Sequence, residues 1–127
     1  MLRTVARYAT DWNTWGSPSQ VATVTERFVA ACETEGRDPA TIQRSAQALV
    51  FITDTDAQRD ELRAKVDTDR SIVGSPAEII DVMGEYAAAG LDEFALPGFN
   101  LGASQAQRRE RVERFHEEVV SKVATGA

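Results

Sequence analysis

Across residues 75–98 the apolar positions change period, and the change marks a helix that hands over to a strand. Ile79, Val82, Met83, Tyr86 and Ala87 recur at helical spacing on one side. Ser75 can cap this helix, Pro76 takes the first helical position, where no N–H is needed, and Glu78 completes a Ser-x-x-Glu capping box. Gly90 supplies the left-handed residue that ends it. Residues 91–96 are too few and too evenly apolar for a second helix, and Pro97-Gly98 stops them. They read as a strand buried on both faces, as parallel strands are.

The rest of the chain repeats this unit. Residues 2–9 predict a helix with Leu2, Val5, Ala6 and Ala9 opposite Arg3 and Arg7. It has no capping residue, as though its start lay upstream. Residues 11–14 predict a short strand that Gly16-Ser17-Pro18 ends. Ser17, Pro18 and Gln20 form a second capping box, and Val21, Val24, Phe28, Ala31 and Cys32 make an apolar stripe that closes at Gly36. Asp38 caps a single helical turn through Ile42. Residues 45–53, with Leu49-Val50-Phe51-Ile52 at their centre, are the strongest strand in the sequence. Asp54-Thr55 opens a polar helix to about Val66, edged by Leu62 and Val66. A charged connection through Asp67, Asp69 and Arg70 leads to Ile72-Val73-Gly74. Ser104 with Gln107 boxes a last helix, built on Val112, Phe115, Val119 and Val123.

Strands that alternate with helices predict parallel pairing, right-handed crossovers and an α/β layer architecture. Only about three strands are present. A closed (β/α)8 barrel takes roughly 250 residues, so 127 residues can hold only part of one, and an open doubly wound sheet would also want more strands.

Composition narrows the chemistry. The net charge of -6 argues against a nucleic acid or an anionic membrane surface as partner. No apolar run approaches the length of a membrane helix and no secretory signal opens the chain, so it reads as cytoplasmic. With one cysteine, Cys32, and one histidine, His116, neither an internal disulfide nor a cysteine metal cage can form. Zinc sites and Ser-His-Asp machinery lack their usual parts. Cys32 lies on an apolar stripe and reads as a packed thiol.

In an α/β fold reactive groups gather where strands end and helices begin. That rule selects Asn13-Thr14, Asp54-Thr55 and residues 97–100. Asp92 and Glu93 precede their strand and belong to the opposite, stabilising face. The helix starts at Ser17, Ser75 and Ser104 offer N–H groups to the same rim, although each capping serine already satisfies them. Trp12 and Trp15 flank Asn13, where aromatics suit a flat ring system or simply pack the rim. Between Arg108 and Arg114 the basic residues are interleaved with glutamates, which favours a salt-bridged solvent face. No catalytic residue and no metal ligand set emerges.

Four segments together carry a resemblance: Leu-Arg-Thr-Val-Ala-Arg-Tyr-Ala-Thr-Asp-Trp-Asn at residues 2–13, Gly36-Arg37-Asp38-Pro39, Val73-Gly74-Ser75-Pro76-Ala77-Glu78 and Ala89-Gly90-Leu91-Asp92-Glu93-Phe94. In this order and spacing they resemble the C-terminal part of luciferase-like monooxygenases, nearest the branch that uses a deazaflavin (coenzyme F-420) or FMN. The resemblance covers residues 1–127. It implies a partial (β/α)8 TIM barrel, about three parallel strands with flanking helices. It implies an oxidoreductase that passes hydride or electrons between its cofactor and a small-molecule substrate. In the family a glycine-rich segment ahead of the first helix holds the cofactor phosphate, and earlier strands carry most cofactor contacts and the catalytic acid or base. Activity from this portion alone is therefore not expected. By the same resemblance Trp12 and Asn13, at the end of one strand, and Pro97 and Gly98, at the end of the last, face the cofactor pocket. The alternative is a non-catalytic half-barrel that assembles with itself or with an N-terminal partner chain.

Overall fold

The computed structural model describes residues 1–124. In chain order these form α1 (Leu2–Tyr8), β1 (Asp11–Trp15), α2 (Pro18–Glu35), a 3-10 turn (Pro39–Thr41), β2 (Gln43–Gln47) and β3 (Leu49–Ile52). There follow α3 (Asp56–Lys65), β4 (Ser71–Gly74), α4 (Pro76–Ala88), β5 (Glu93–Ala95), α5 (Gln105–Phe115), a π-helical turn (His116–Val120) and α6 (Ser121–Ala124). Every strand pairing is parallel. Three β-strand units with flanking helices are present as expected. The segment Ile72-Val73-Gly74, to which the sequence reading assigns no element, is part of a further strand, β4.

The two central strands, β2 and β3, form one continuous spine interrupted only at Ala48. Backbone groups of alternate residues face opposite edges of a strand, and this decides the topology. Odd-numbered residues face β1 and then β4: Gln43 N–H donates to the Thr10 carbonyl (2.9 Å), Leu49 N–H to Arg70 (2.8 Å) and Thr53 N–H to Gly74 (2.8 Å). Even-numbered residues face the other way. The Arg44 carbonyl accepts from Asp92 N–H at 2.9 Å, and the Val50 carbonyl accepts from the Asn100 side chain at 3.1 Å. Thus β4 continues the edge on which β1 ends, while β5 holds the opposite edge. The order β1-β2-β5 sets β5 beside β2 by a crossover that passes over the β4–α4 unit.

Local signals explain the helices. The boxes at Ser17/Gln20 and Ser104/Gln107 are both closed reciprocally. At Ser75 only half the box forms: its hydroxyl accepts from Glu78 N–H at 3.3 Å. The Glu78 carboxylate goes instead to Arg59 (2.8 Å) and Arg63 (3.1 Å) on α3, because two guanidinium groups outbid one exposed backbone N–H. Asp38 caps the 3-10 turn through Ala40 N–H (2.9 Å).

The sheet buries its even-numbered side chains under the helices. One core gathers Ala46, Val50, Ile79, Tyr86, Phe115 and Val119, and a second gathers Ala6, Phe28, Cys32 and Ile42 beneath α1 and α2. Each large side chain buried this way contributes roughly 1.5–3 kcal/mol. Two positions of the predicted stripes fall outside: Ala87 is exposed, and Val112 is 44% exposed because α5 turns Phe115 and Val119 inward instead.

Candidate functional site

Strand alternation separates the residues expected at the rim. Trp12 points toward the helices, where its ring stacks on Phe28 with centroids 5.3 Å apart. The Arg44 guanidinium covers that same Phe28 ring at 5.0 Å. Trp12 thus packs against α2 behind the strand, while Asn13 takes the other side. The physical reason is the pleat: Trp12 and Asn13 are adjacent in a strand and cannot share a face.

Asn13 lies on the side away from the helices, and its Nδ2 donates to Ser45 Oγ at 2.8 Å. Trp15 comes next on that side and tilts toward Phe99, with ring centroids 6.5 Å apart. The two rings are 39% and 70% exposed, an open aromatic pair beside an amide–hydroxyl pair. Pro97 is half-buried and Gly98 exposed, directly ahead of Phe99. The sheet therefore brings Asn13, Ser45, Trp15 and the 97–99 turn to one rim.

The remaining rim candidates have structural duties. Asp54 is paired with Arg114 at 2.6 Å, Thr55 caps α3 by accepting from Gln58 N–H at 3.1 Å, and Thr14 Oγ1 donates to the Trp15 carbonyl at 3.4 Å. At the far end of the sheet, Asp92 takes the Arg44 backbone N–H at 2.8 Å and Glu93 accepts from Gln43 at 3.0 Å. Those carboxylates fix the register of β5.

Chemically, two solvent-facing aromatic rings suit the face of a flat heterocycle. Asn13 keeps its Oδ1 and Ser45 its hydroxyl hydrogen for a polar ring edge, since their mutual bond uses only one donor and one acceptor. None of these four side chains carries the positive charge that a phosphate needs. Arg70, which lines a groove with Trp15 and Gly16, shares it with Asp67 and Asp69. The residues present therefore fit the ring end of a flavin-type cofactor and not its phosphate. Among the described residues, no group of three His, Cys, Asp or Glu side chains could hold a metal ion, and no helix is long and apolar enough to cross a membrane.

Trp15 and Phe99 lie in segments the sequence singles out, the tryptophans that flank Asn13 and residues 97–100, but the sequence reading does not separate Trp15 from Trp12. The signal was available. In Trp-Asn-Thr-Trp, period two puts Asn13 and Trp15 on one face and Trp12 on the other.

No family profile matches the sequence, and neither does any curated protein. Solved structures do match. The coenzyme F420-dependent tetrahydromethanopterin reductase from Methanopyrus kandleri aligns with 97% of this chain at a TM-score of 0.72 and 18% identity. Riboflavin lyase with modified FMN and riboflavin aligns with 98% (0.71, 14%), and the long-chain alkane monooxygenase LadA with 98% (0.68, 16%). The chain spans 48%, 40% and 38% of their respective lengths. The fold of this chain is that of the luciferase-like monooxygenases, of whose barrel it carries a part.

Proposed function

We propose that this chain is the C-terminal part of a flavin- or deazaflavin-dependent oxidoreductase and forms one wall of its cofactor site. When bound, such a cofactor accepts or donates the hydride or electrons exchanged with a small-molecule substrate. This chain's own contribution is placement. Trp15 and Phe99 offer their faces to the ring system and shield one side of it from water. Asn13 and Ser45 hold polar atoms toward its edge, and the backbone turn at Pro97 and Gly98 sets how closely Phe99 approaches. Trp12 acts from behind, fixing β1 against α2 through Phe28. The phosphate and the acid–base groups belong to the rest of the barrel.

The observation that carries this reading is the coincidence of a structural match, over almost the whole of this chain, to part of a reductase and of a monooxygenase with an open aromatic and amide rim on the side of the sheet away from the helices. The test is to isolate the tagged chain from its native cell and record the absorbance of whatever elutes with it. A flavin or deazaflavin chromophore that is lost in Trp15→Ala, while the elution volume stays unchanged, is the expected result. A chromophore unaffected by Trp15→Ala would refute the placement.

One feature favours a second reading. Among the described residues β1 and β5 each pair along one edge only, and open edges recruit further strands. A monodisperse oligomer of the chain, or a complex with an N-terminal partner, that carries no chromophore would make it a non-catalytic assembly module.

A further inference from the structure

The crossover from β3 to β4 is attached to the molecule differently from the other helical segments. No residue from Asp54 to Arg70 is buried. Whereas α2, α4 and α5 each sink at least one large side chain into the cores described above, α3 contributes none. Its Leu62 lines a cleft of about 430 Å³ against β3 and α5 rather than a packed surface. Both ends of the crossover are pinned: Asp54 pairs with Arg114 of α5 at 2.6 Å, and the Arg70 carbonyl accepts from Leu49 N–H at 2.8 Å. Between them the helix is held by arginines. Arg59 (2.8 Å) and Arg63 (3.1 Å) share the Glu78 carboxylate of α4, and Arg63 also donates to the Val73 carbonyl of β4, from Nε at 3.1 Å and from Nη2 at 2.7 Å.

Glu78 has a second place to go. It is the third helical residue of α4, the position that Gln20 and Gln107 occupy in α2 and α5, where their side-chain oxygens close the capping boxes. A Cβ built on Gly74 would lie 2.6 Å from a Glu78 carboxylate oxygen, as one on Gly16 would lie 2.9 Å from the Gln20 oxygen. The carboxylate therefore stands over the glycine that precedes the cap, beside the Ser75 N–H with which it would complete the box. A glutamine suffices for capping, but two guanidinium groups call for a carboxylate. The one glutamate among these three positions stands where two arginines of another helix converge.

We propose that α3 is a hinged flap and Glu78 its latch. With Glu78 on Arg59 and Arg63, the helix stands against β4 and α4 and walls the cleft. When salt screens these partly exposed pairs, the carboxylate turns to the Ser75 N–H and α3 swings out about its two pinned ends, opening the cleft to solvent. The completed box offsets part of what the lost ion pairs contributed, so the two positions of one carboxylate define two states of the crossover. The inference is independent of the cofactor reading, since no residue of the Asn13–Trp15 rim takes part.

The test is native-state amide hydrogen exchange of the whole chain, read residue by residue by NMR, for the wild type and Glu78→Gln. Glutamine keeps the capping oxygen, so α4 should hold while the latch is lost. A helix as short as α3 frays once detached, so its hydrogen-bonded amides, residues 59–66, report the opening. In the wild type they should show at least about tenfold less protection than the amides of α2 and α4. Glu78→Gln should lower α3 protection by a further factor of about five, the worth of two partly exposed ion pairs, and leave α2 and α4 unchanged. Raising salt from about 0.02 to about 0.5 M should do the same to the wild type and much less to the variant. Any of three results overturns the proposal: α3 protected as strongly as α4 in the wild type, equal loss of protection in α2, α3 and α4 of Glu78→Gln, or a salt response as large in the variant as in the wild type.

Discussion

The Tyr86 hydroxyl donates to the Gly16 carbonyl at 2.6 Å, tying α4 to the turn that ends β1 across 70 residues of chain. Tyr86 is 2% exposed, so water cannot replace either partner. Gly16 sits at φ 151°, and a Cβ there would lie 2.9 Å from the Gln20 oxygen that closes the α2 capping box. Tyr86→Phe leaves that carbonyl buried without a donor and should cost about 1–3 kcal/mol. Urea denaturation measures it; a change within error would show that the bond contributes nothing.

The same burial pushes the Tyr86 phenol up to about 12, with the Glu85 carboxylate adding to the effect. Below pH 10 both folded and unfolded chains hold this proton. Between 10 and about 12 only the folded chain keeps it, so stability falls with rising pH, by about 1.4 kcal/mol per pH unit. Stability curves of the wild type and Tyr86→Phe should therefore converge over this window. Parallel curves would mean that the phenol ionises in the folded state as it does in water.

Arg44 closes the C-terminal end of α4. Its guanidinium donates to the Gly90 carbonyl and to Thr25 Oγ1 (2.9 Å), while Thr25 donates to the Ala89 carbonyl (3.0 Å). A cation at that end also meets the negative pole of the helix. Arg44→Ala should lower stability by about 1.5–3 kcal/mol, as expected for a charged hydrogen bond. Gly90→Ala should be of similar size, because φ is 92° and the new Cβ would press on the guanidinium. If both single variants melt with the wild type, the cap is ornamental. In the double variant the losses should be less than additive, since both act on one contact.

Cys32 is fully buried in the α1–α2 core, and desolvation raises its thiol against the pull of Arg37 and Arg44. Aromatic disulfide reagents should label it only as fast as the chain opens, and at once in denaturant. Rapid labelling of the folded protein would overturn its assignment as a packing residue.

Most of the architecture was legible because its signals are local. Ser17-Pro18 with Gln20, Ser104 with Gln107 and the apolar run at 49–52 each specify an element without help from distant residues. β4 was missed for the opposite reason: Ile72-Val73-Gly74 is too brief to declare itself, and becomes a strand only because the odd-numbered backbone groups of β3 stand open beside it. Glu78 shows the same limit, its carboxylate drawn away from the cap by two arginines of another helix. At the rim, position at a strand end points to Asn13 and its flanking tryptophans, but choosing Trp15 over Trp12 needs the pleat of β1 as well.

The spine that β2 and β3 share sets a timetable for the newborn protein. Its first neighbour, β1, has already left the ribosome when residues 43–47 emerge, but the Asp92 contacts on the other edge lie 48 residues later. Until β5 arrives, the strand carries one unclaimed row of backbone groups, and vectorial synthesis makes that interval unavoidable. Slowing translation while residues 53–92 emerge should therefore expose the nascent chain to proteases or foreign strands, whereas a pause once Ala95 has left the ribosome should be harmless.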